Sequence, residues 1–125
     1  MPLVTISLRA GKPAAYREAI LESLHLAMRD TLGITEDNRF MTITEHDGTN
    51  FSVGDAYGVK RSEDLVYVQI IVFDSRTADQ KKELFSRVVE LLGKNPGVKP
   101  EDVFIIVKPV PKENWSVGHG HAQFV

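Results

Sequence analysis

Shifted by 64 positions against itself, the chain aligns its two halves without a gap, so that Gly33-Ile34 falls on Gly97-Val98 and Phe40-Met41-Thr42-Ile43 on Phe104-Ile105-Ile106-Val107. The same shift carries Leu3 to Leu8 onto Tyr67 to Val72, and Ile20, Leu24 and Met28 onto Leu84, Val88 and Leu92. Identities are few, but apolar period and turn chemistry coincide, which marks an internal repeat. Such a chain is expected to fold as two copies of one unit, over 2–45 and 66–109. An arm over 111–125 completes a single domain of residues 1–125.

Each copy reads as strand, helix, strand. In the first, Pro13 opens a helix that runs from Ala14 through Leu32, with Ile20, Leu21, Leu24, Ala27 and Met28 at helical spacing and Gly33 as its stop. In the second, Thr77-Ala78-Asp79-Gln80 has the form of a capping box, and Leu84, Phe85, Val88, Val89, Leu91 and Leu92 continue a stripe toward Gly93. β-prone runs follow each helix, Arg39 to Glu45 and Val103 to Val107. A strand–helix–strand unit of this length pairs its strands in parallel through a right-handed crossover. The expected class is therefore α/β (α+β): duplicated β-α-β units, a four-stranded mixed sheet and two helices on one face. The strand runs Leu3, Val4, Ile6, Leu8 and Val66 to Val72 carry apolar residues on both sides, so the uncovered sheet face asks for a partner and a homo-oligomer is expected.

The residues from His46 to Glu63 form a long connector with turn signals at Asp47-Gly48, Gly54-Asp55 and Gly58. The tail after Pro111 reads as an irregular or hairpin arm that docks through its aromatics. Hydrophobic residues make up 42% of 125, enough for a real core, and the formal net charge is −2 with both signs mixed. That balance gives no reason to expect a nucleic-acid or membrane partner. Absence of cysteine excludes a thiolate nucleophile, a disulfide framework and Cys-based metal sites. No apolar run approaches the ~20 residues of a membrane span and no signal-like segment is seen, so the expected compartment is the cytoplasm.

Pro2 stands between Met1 and the first strand run. Initiator methionine is trimmed when the next side chain is small, and its loss would leave a secondary amine on a strand. Free α-amino groups titrate near ~8, so burial or a nearby cation can poise such a nitrogen as a base near neutral pH.

Five segments together resemble the tautomerase superfamily, and within it the malonate semialdehyde decarboxylase branch: Met1-Pro2-Leu3, Asn38-Arg39-Phe40 with Thr42 and His46, Gly58 to Ser62, Ser75-Arg76-Thr77 with Gln80-Lys81, and Trp115 to Phe124. The resemblance spans nearly the whole chain, and the tail is its most branch-specific part. It implies a homotrimer with the amino-terminal proline in a pocket near subunit contacts, and chemistry without metal or cofactor. Pro2 takes the family's catalytic place, as base toward enolisable acids or as acid toward substrates that add water or lose CO₂. Arg76 takes the place of an arginine that grips the substrate carboxylate. By the repeat it lies at the turn before the second helix, as Lys12 does before the first, and so is expected near Pro2. Trp115 and Phe124 match aromatics of the pocket wall, and Val117 replaces a larger aromatic, which suggests a roomier pocket.

Two positions depart from the branch. Asp74 stands where it has a second arginine, and Asn38 where it has an aspartate that activates water. An amide holds water but does not take its proton. Asp37 beside it would substitute only if the loop shifted by one residue. Keto–enol tautomerisation of small 2-keto or enol acids such as phenylpyruvate is therefore the expected activity. The alternatives are a 3-oxo acid decarboxylase or hydratase, or a non-enzymatic trimeric binding protein on the same scaffold. His119 and His121 lack carboxylates patterned for a metal and are read as surface or interface histidines. His25 is expected to be a half-buried structural histidine, and Arg39 and Arg61 structural cations with a secondary capacity for anions.

Overall fold

The computed structural model describes residues 2–125. β1 (Leu3–Arg9) leads into α1 (Ala14–Leu32) and β2 (Met41–His46), and β3 (Val66–Phe73) into α2 (Ala78–Lys94) and β4 (Val103–Val110). The sheet order is β2-β1-β3-β4. β1 with β2 and β3 with β4 are parallel, while β1 with β3 is antiparallel. The expected duplicated β-α-β class is the one observed. The pairing Thr5↔Thr42 recurs as Gln69↔Ile106, the same register moved into the second half.

Local chemistry accounts for the helix ends. Thr77 and Gln80 complete a reciprocal capping box, Gln80 N–H to Thr77 Oγ1 at 3.1 Å and Thr77 N–H to Gln80 Oε1 at 3.0 Å. Gly33 adopts φ 67° and donates to the Arg29 carbonyl at 3.1 Å, the left-handed cap for which glycine carries no Cβ penalty. The second stop differs from expectation. Gly93 lies inside α2, which runs on to Lys94, and the left-handed reversal falls at Gly97, the repeat partner of Gly33. The Gly97 and Val98 amides both donate to the Leu92 carbonyl and close that end.

Val4, Ile6 and Leu8 of β1 and Val66, Val68, Ile70 and Val72 of β3 point to the helix side, where Ile20, Leu24, Met28, Leu84, Val88 and Leu92 meet them in one core. His25 is fully buried, with no exposed surface, deeper than its half-buried expectation. On the other face β1 presents Leu3, Thr5 and Ser7, so its apolar character there is confined to Leu3. The uncovered apolar surface is instead concentrated on β3 and β4, around Tyr67, Ile71, Phe104 and Ile106. The connector is anchored at the far end of the sheet: Phe51 packs between His46 and Tyr67, and the Tyr67 hydroxyl donates to the Ser52 carbonyl at 2.6 Å. Among the described residues, no helix is long and apolar enough to cross a membrane.

Candidate active site

Strand directions place the candidate residues at one end of the sheet, although only Pro2, Trp115 and Val117 of them line one pocket. β1 and β2 begin, and β3 and β4 finish, at one end of the sheet. Pro2 precedes β1, Asn38 and Phe40 precede β2, Arg76 follows β3 and Trp115 follows β4, so all stand at that end. The Val4 N–H donates to the Phe40 carbonyl at 2.9 Å and ties the first two starts together.

Pro2 is buried. It lines a pocket of about 190 Å³ with Leu3, Phe40, Trp115, Ser116 and Val117. The walls are mainly apolar, a setting that disfavours an ammonium and helps keep an amine neutral. The arm folds over this end irregularly, with a short 3₁₀ turn at Lys112–Asn114. Trp115 Nε1–H donates to the Val110 carbonyl at 3.2 Å, and its ring meets Phe73 edge-on at 5.6 Å. Phe124 also meets Phe73 edge-on, at 4.9 Å. Phe124 is thus absent from the lining of the Pro2 pocket, and its ring packs on Phe73, which in turn meets Trp115. Gln123 staples the arm: its Oε1 accepts from the Val117 N–H at 3.0 Å and its Nε2 donates to the Gly118 carbonyl at 2.7 Å.

Arg76 is half-buried. Its Nη1 donates to the Leu32 carbonyl at the end of α1 at 2.8 Å, and its buried Nε has no partner. Arg9, Arg17, Arg29, Arg39 and Arg87 all pair with carboxylates. Arg61 donates to the carbonyls of Gly54, Ala56 and Val59, a structural use of its fork. Among the described residues Arg76 pairs with no carboxylate, Asp74 included.

Asn38 keeps a buried side-chain oxygen without a hydrogen-bond donor, beside a concavity it shares with Thr35, Asp37 and Phe40. Asp37 is engaged by the Thr35 hydroxyl. The loop is braced by Arg39, which holds Glu22 and Glu36, and by Arg29, which also reaches Glu36. The Arg39 guanidinium holds the Glu36 carboxyl below its usual range. His119 and His121 rings lie 6.1 Å apart, and among the described residues no group of three metal-ligating side chains forms. Phe40 and Phe73 were not singled out as site residues from the sequence. Phe40 carried a signal, since it aligns with Phe104, whereas the role of Phe73 depends on how the arm folds.

The comparisons with known proteins agree with this geometry. Two family models, each described as tautomerase enzyme, match residues 38–118 and 2–61. The probable tautomerase YusQ of Bacillus subtilis is 32% identical over all of this chain and 99% of its own length. A solved malonate semialdehyde decarboxylase superposes with a TM-score of 0.91 at 27% identity, covering 98% of this chain and 95% of that one. A second, inhibited by 3-bromopropiolate, gives 0.91 at 32% identity, covering 98% and 93%. A fused 4-OT, a symmetric trimer, shares the fold with a TM-score of 0.81 at 20% identity, covering 98% and 97%. The fold, with a proline-lined pocket at the sheet end, defines a tautomerase-type scaffold. The chain belongs to the tautomerase family.

Proposed function

We propose that the protein is a keto–enol tautomerase for small 2-keto and enol carboxylic acids, with Pro2, freed of Met1, as general base. Met1 itself lies outside the described residues. In the keto-to-enol direction the prolyl nitrogen takes a proton from the carbon next to the keto group. The C–H electron pair becomes the C=C bond, and the carbonyl π electrons move to oxygen, which takes a proton to give the enol. The reverse sequence returns the proton to carbon. Arg76 binds the carboxylate through its unpaired N–H groups. Trp115, Val117 and Phe40 limit water around the amine, with Phe124 bracing Trp115 through Phe73, and Asn38 offers its free oxygen to a substrate hydroxyl or water. A homotrimer built on the β3–β4 face completes the reading, in keeping with the trimeric relatives of this fold.

The single observation that carries this reading is the buried Pro2 in an apolar pocket, at the same sheet end as an arginine without a carboxylate partner. Intact-mass measurement and a Pro2→Ala variant test it. Native protein lacking Met1, and a loss of about 10²–10⁴-fold in phenylpyruvate tautomerisation by the variant, are expected. Retained Met1, or a variant working at the parent rate, overturns it.

A second reading, decarboxylation or hydration of 3-oxo acids, is favoured by the likeness to the two malonate semialdehyde decarboxylases. Asn38 and Asp74 weigh against it, since neither supplies the acid or cation that the branch uses. Assay of matched 3-oxo and 2-keto acids separates the two readings.

A further inference from the structure

The second half repeats the framework of the Pro2 site at the opposite end of the sheet. The shift that pairs Lys12 with Arg76 also pairs Val66 with Pro2, Asp102 with Asn38 and Phe104 with Phe40. Equal strand registers in the two halves make the correspondence spatial. A pocket of about 240 Å³ opens there, lined in part by Leu8, Arg9, Lys12, Tyr16, Asp64 and Leu65.

Here the chain does not start at the counterpart of Pro2. Val66 supplies an ordinary peptide nitrogen, with no basic lone pair, and the connector runs up to it past the pocket. Side chains of residues 62–64 occupy the polar groups. Ser62 donates to the buried Asp102 carboxylate from both its N–H, at 2.7 Å, and its hydroxyl, at 2.6 Å. Asp64 meets Lys12 Nζ at 2.9 Å, and this bond holds the ammonium pKa above its usual range. Lys12 also lies over the Tyr16 ring, 5.0 Å from its centre. Arg9 is held by Glu63.

We infer that Asp64 is an internal ligand: its carboxylate fills a second carboxylate-binding site, the counterpart of Arg76, which takes a small free carboxylate once Asp64 is withdrawn. This inference rests on the reading of Arg76 as the carboxylate grip at the Pro2 end. On that reading Asp64 stands to Lys12 as a substrate carboxylate would stand to Arg76. With Asp64 gone, Lys12 keeps its place over the Tyr16 ring and loses its carboxylate, in a concavity walled by Leu8 and Leu65 whose other carboxylate, Glu63, is held by Arg9. The Asp64 side chain is 56% exposed, so its hold on Lys12 is weak enough for a ligand to displace.

Amide NMR of the full chain titrated with benzoate tests this in the native protein, Asp64→Ala, Asp64→Asn, and Asp64→Ala combined with Lys12→Ala. Loss of a largely exposed ion pair corresponds to binding at Gly11, Lys12 and Tyr16 that is roughly two- to fivefold tighter in both single variants than in native protein. The double variant is expected to lose it. Equal affinity in native and Asp64 variants, no shifts in this segment, or binding that survives removal of Lys12 overturns the inference. Signals from Arg76 and the Trp115 indole report the Pro2 end separately. Their silence beside a response at Lys12 would count against the Arg76 reading and leave the second pocket standing.

Discussion

Thr5 of β1 and Gln69 of β3 face each other in the antiparallel pair, and they are the same position of the two halves. A pseudo-twofold axis passes between them. Rotation about it exchanges the start of β1 with the start of β3, at opposite ends of the sheet, and sends the turn before α1 to the turn before α2. Each end therefore combines a strand start from one half with a helix-leading turn from the other. The Pro2 end takes Pro2 from the first half and Arg76 from the second. Neither half carries the proposed chemistry alone.

Arg76→Gln is expected to raise KM for 2-keto acids with a smaller effect on kcat, because the carboxylate contact is present before the proton moves. A hydrogen bond to a charged group is worth about 1.5–3 kcal/mol, or roughly ten- to 150-fold in kcat/KM. Arg76→Lys is expected to recover only part of the loss, since an ammonium keeps the charge without the planar fork. Steady-state kinetics of the two variants check this. An unchanged KM in Arg76→Gln removes the arginine from the site.

Asn38→Asp puts a carboxyl where a buried amide oxygen has no donor. A carboxylate near the prolyl nitrogen favours the ammonium form and raises its pKa. The acid limb of the kcat/KM profile for tautomerisation is expected to move to higher pH. Decarboxylation of 3-oxo acids is expected to rise if the missing acid is what withholds it. A pH–rate profile that superposes on that of the native protein sinks the proposed part of Asn38 in the reaction.

Much of this arrangement is readable from the residues because the physics is local or periodic. Leu24 and Val88 recur on helical stripes, Thr77 and Gln80 sit at capping spacing, and Gly33 and Gly97 mark left-handed stops that few other residues take. Gly93 misled because a glycine near the end of a stripe looks like a cap, whereas the repeat already pointed to Gly97. The depth of His25 was hidden because its place on α1 fixes only a direction, and packing beneath the 34–40 loop decides the burial. Phe124 was expected in the pocket wall, and its ring packs on Phe73 instead. Both lie in or against a tail of irregular backbone, where no period constrains the side chains.

Leu24 has no exposed surface and sits where α1 meets the sheet. Leu24→Ala is expected to cost about 2–5 kcal/mol, the range for deleting a buried leucine side chain and leaving its cavity. Urea unfolding at matched protein concentration checks it, with the midpoint falling and the slope unchanged. A loss under half a kilocalorie would mean that the α1–sheet contact is not the centre of the core.

Acid is expected to weaken the fold through specific surface carboxylates. Arg39 holds Glu36 below its usual pKa, Arg87 does the same for Glu90, and the Thr49 hydroxyl and N–H do so for Asp47. A group whose folded pKa is lowered contributes stability that is fully present above its unfolded value, near ~4–4.5, and is lost as pH falls through the folded one. The melting temperature is expected to drop below about pH 4.5, with a shallower drop in 1 M salt, which screens exposed pairs. Glu36→Gln should flatten part of that dependence. If melting from pH 6 to pH 3 is the same for both proteins, the Glu36 cluster does not contribute.

Ile106 is 45% exposed and Phe104 40%, side by side on the uncovered face of β4. Both lie next to Tyr67 and Gln69 of β3. Water is a poor neighbour for such a patch, and a sheet face of this kind is covered in a stable assembly. Ile106→Glu places a charge that a packed interface leaves without a partner, so assembly is disfavoured while the helix-side core is untouched. Sedimentation velocity is expected to show a trimer for the native chain and a smaller species for the variant, with far-UV circular dichroism unchanged. A variant that stays trimeric moves the interface off the β3–β4 face, and a native monomer removes the assembly from the proposal altogether.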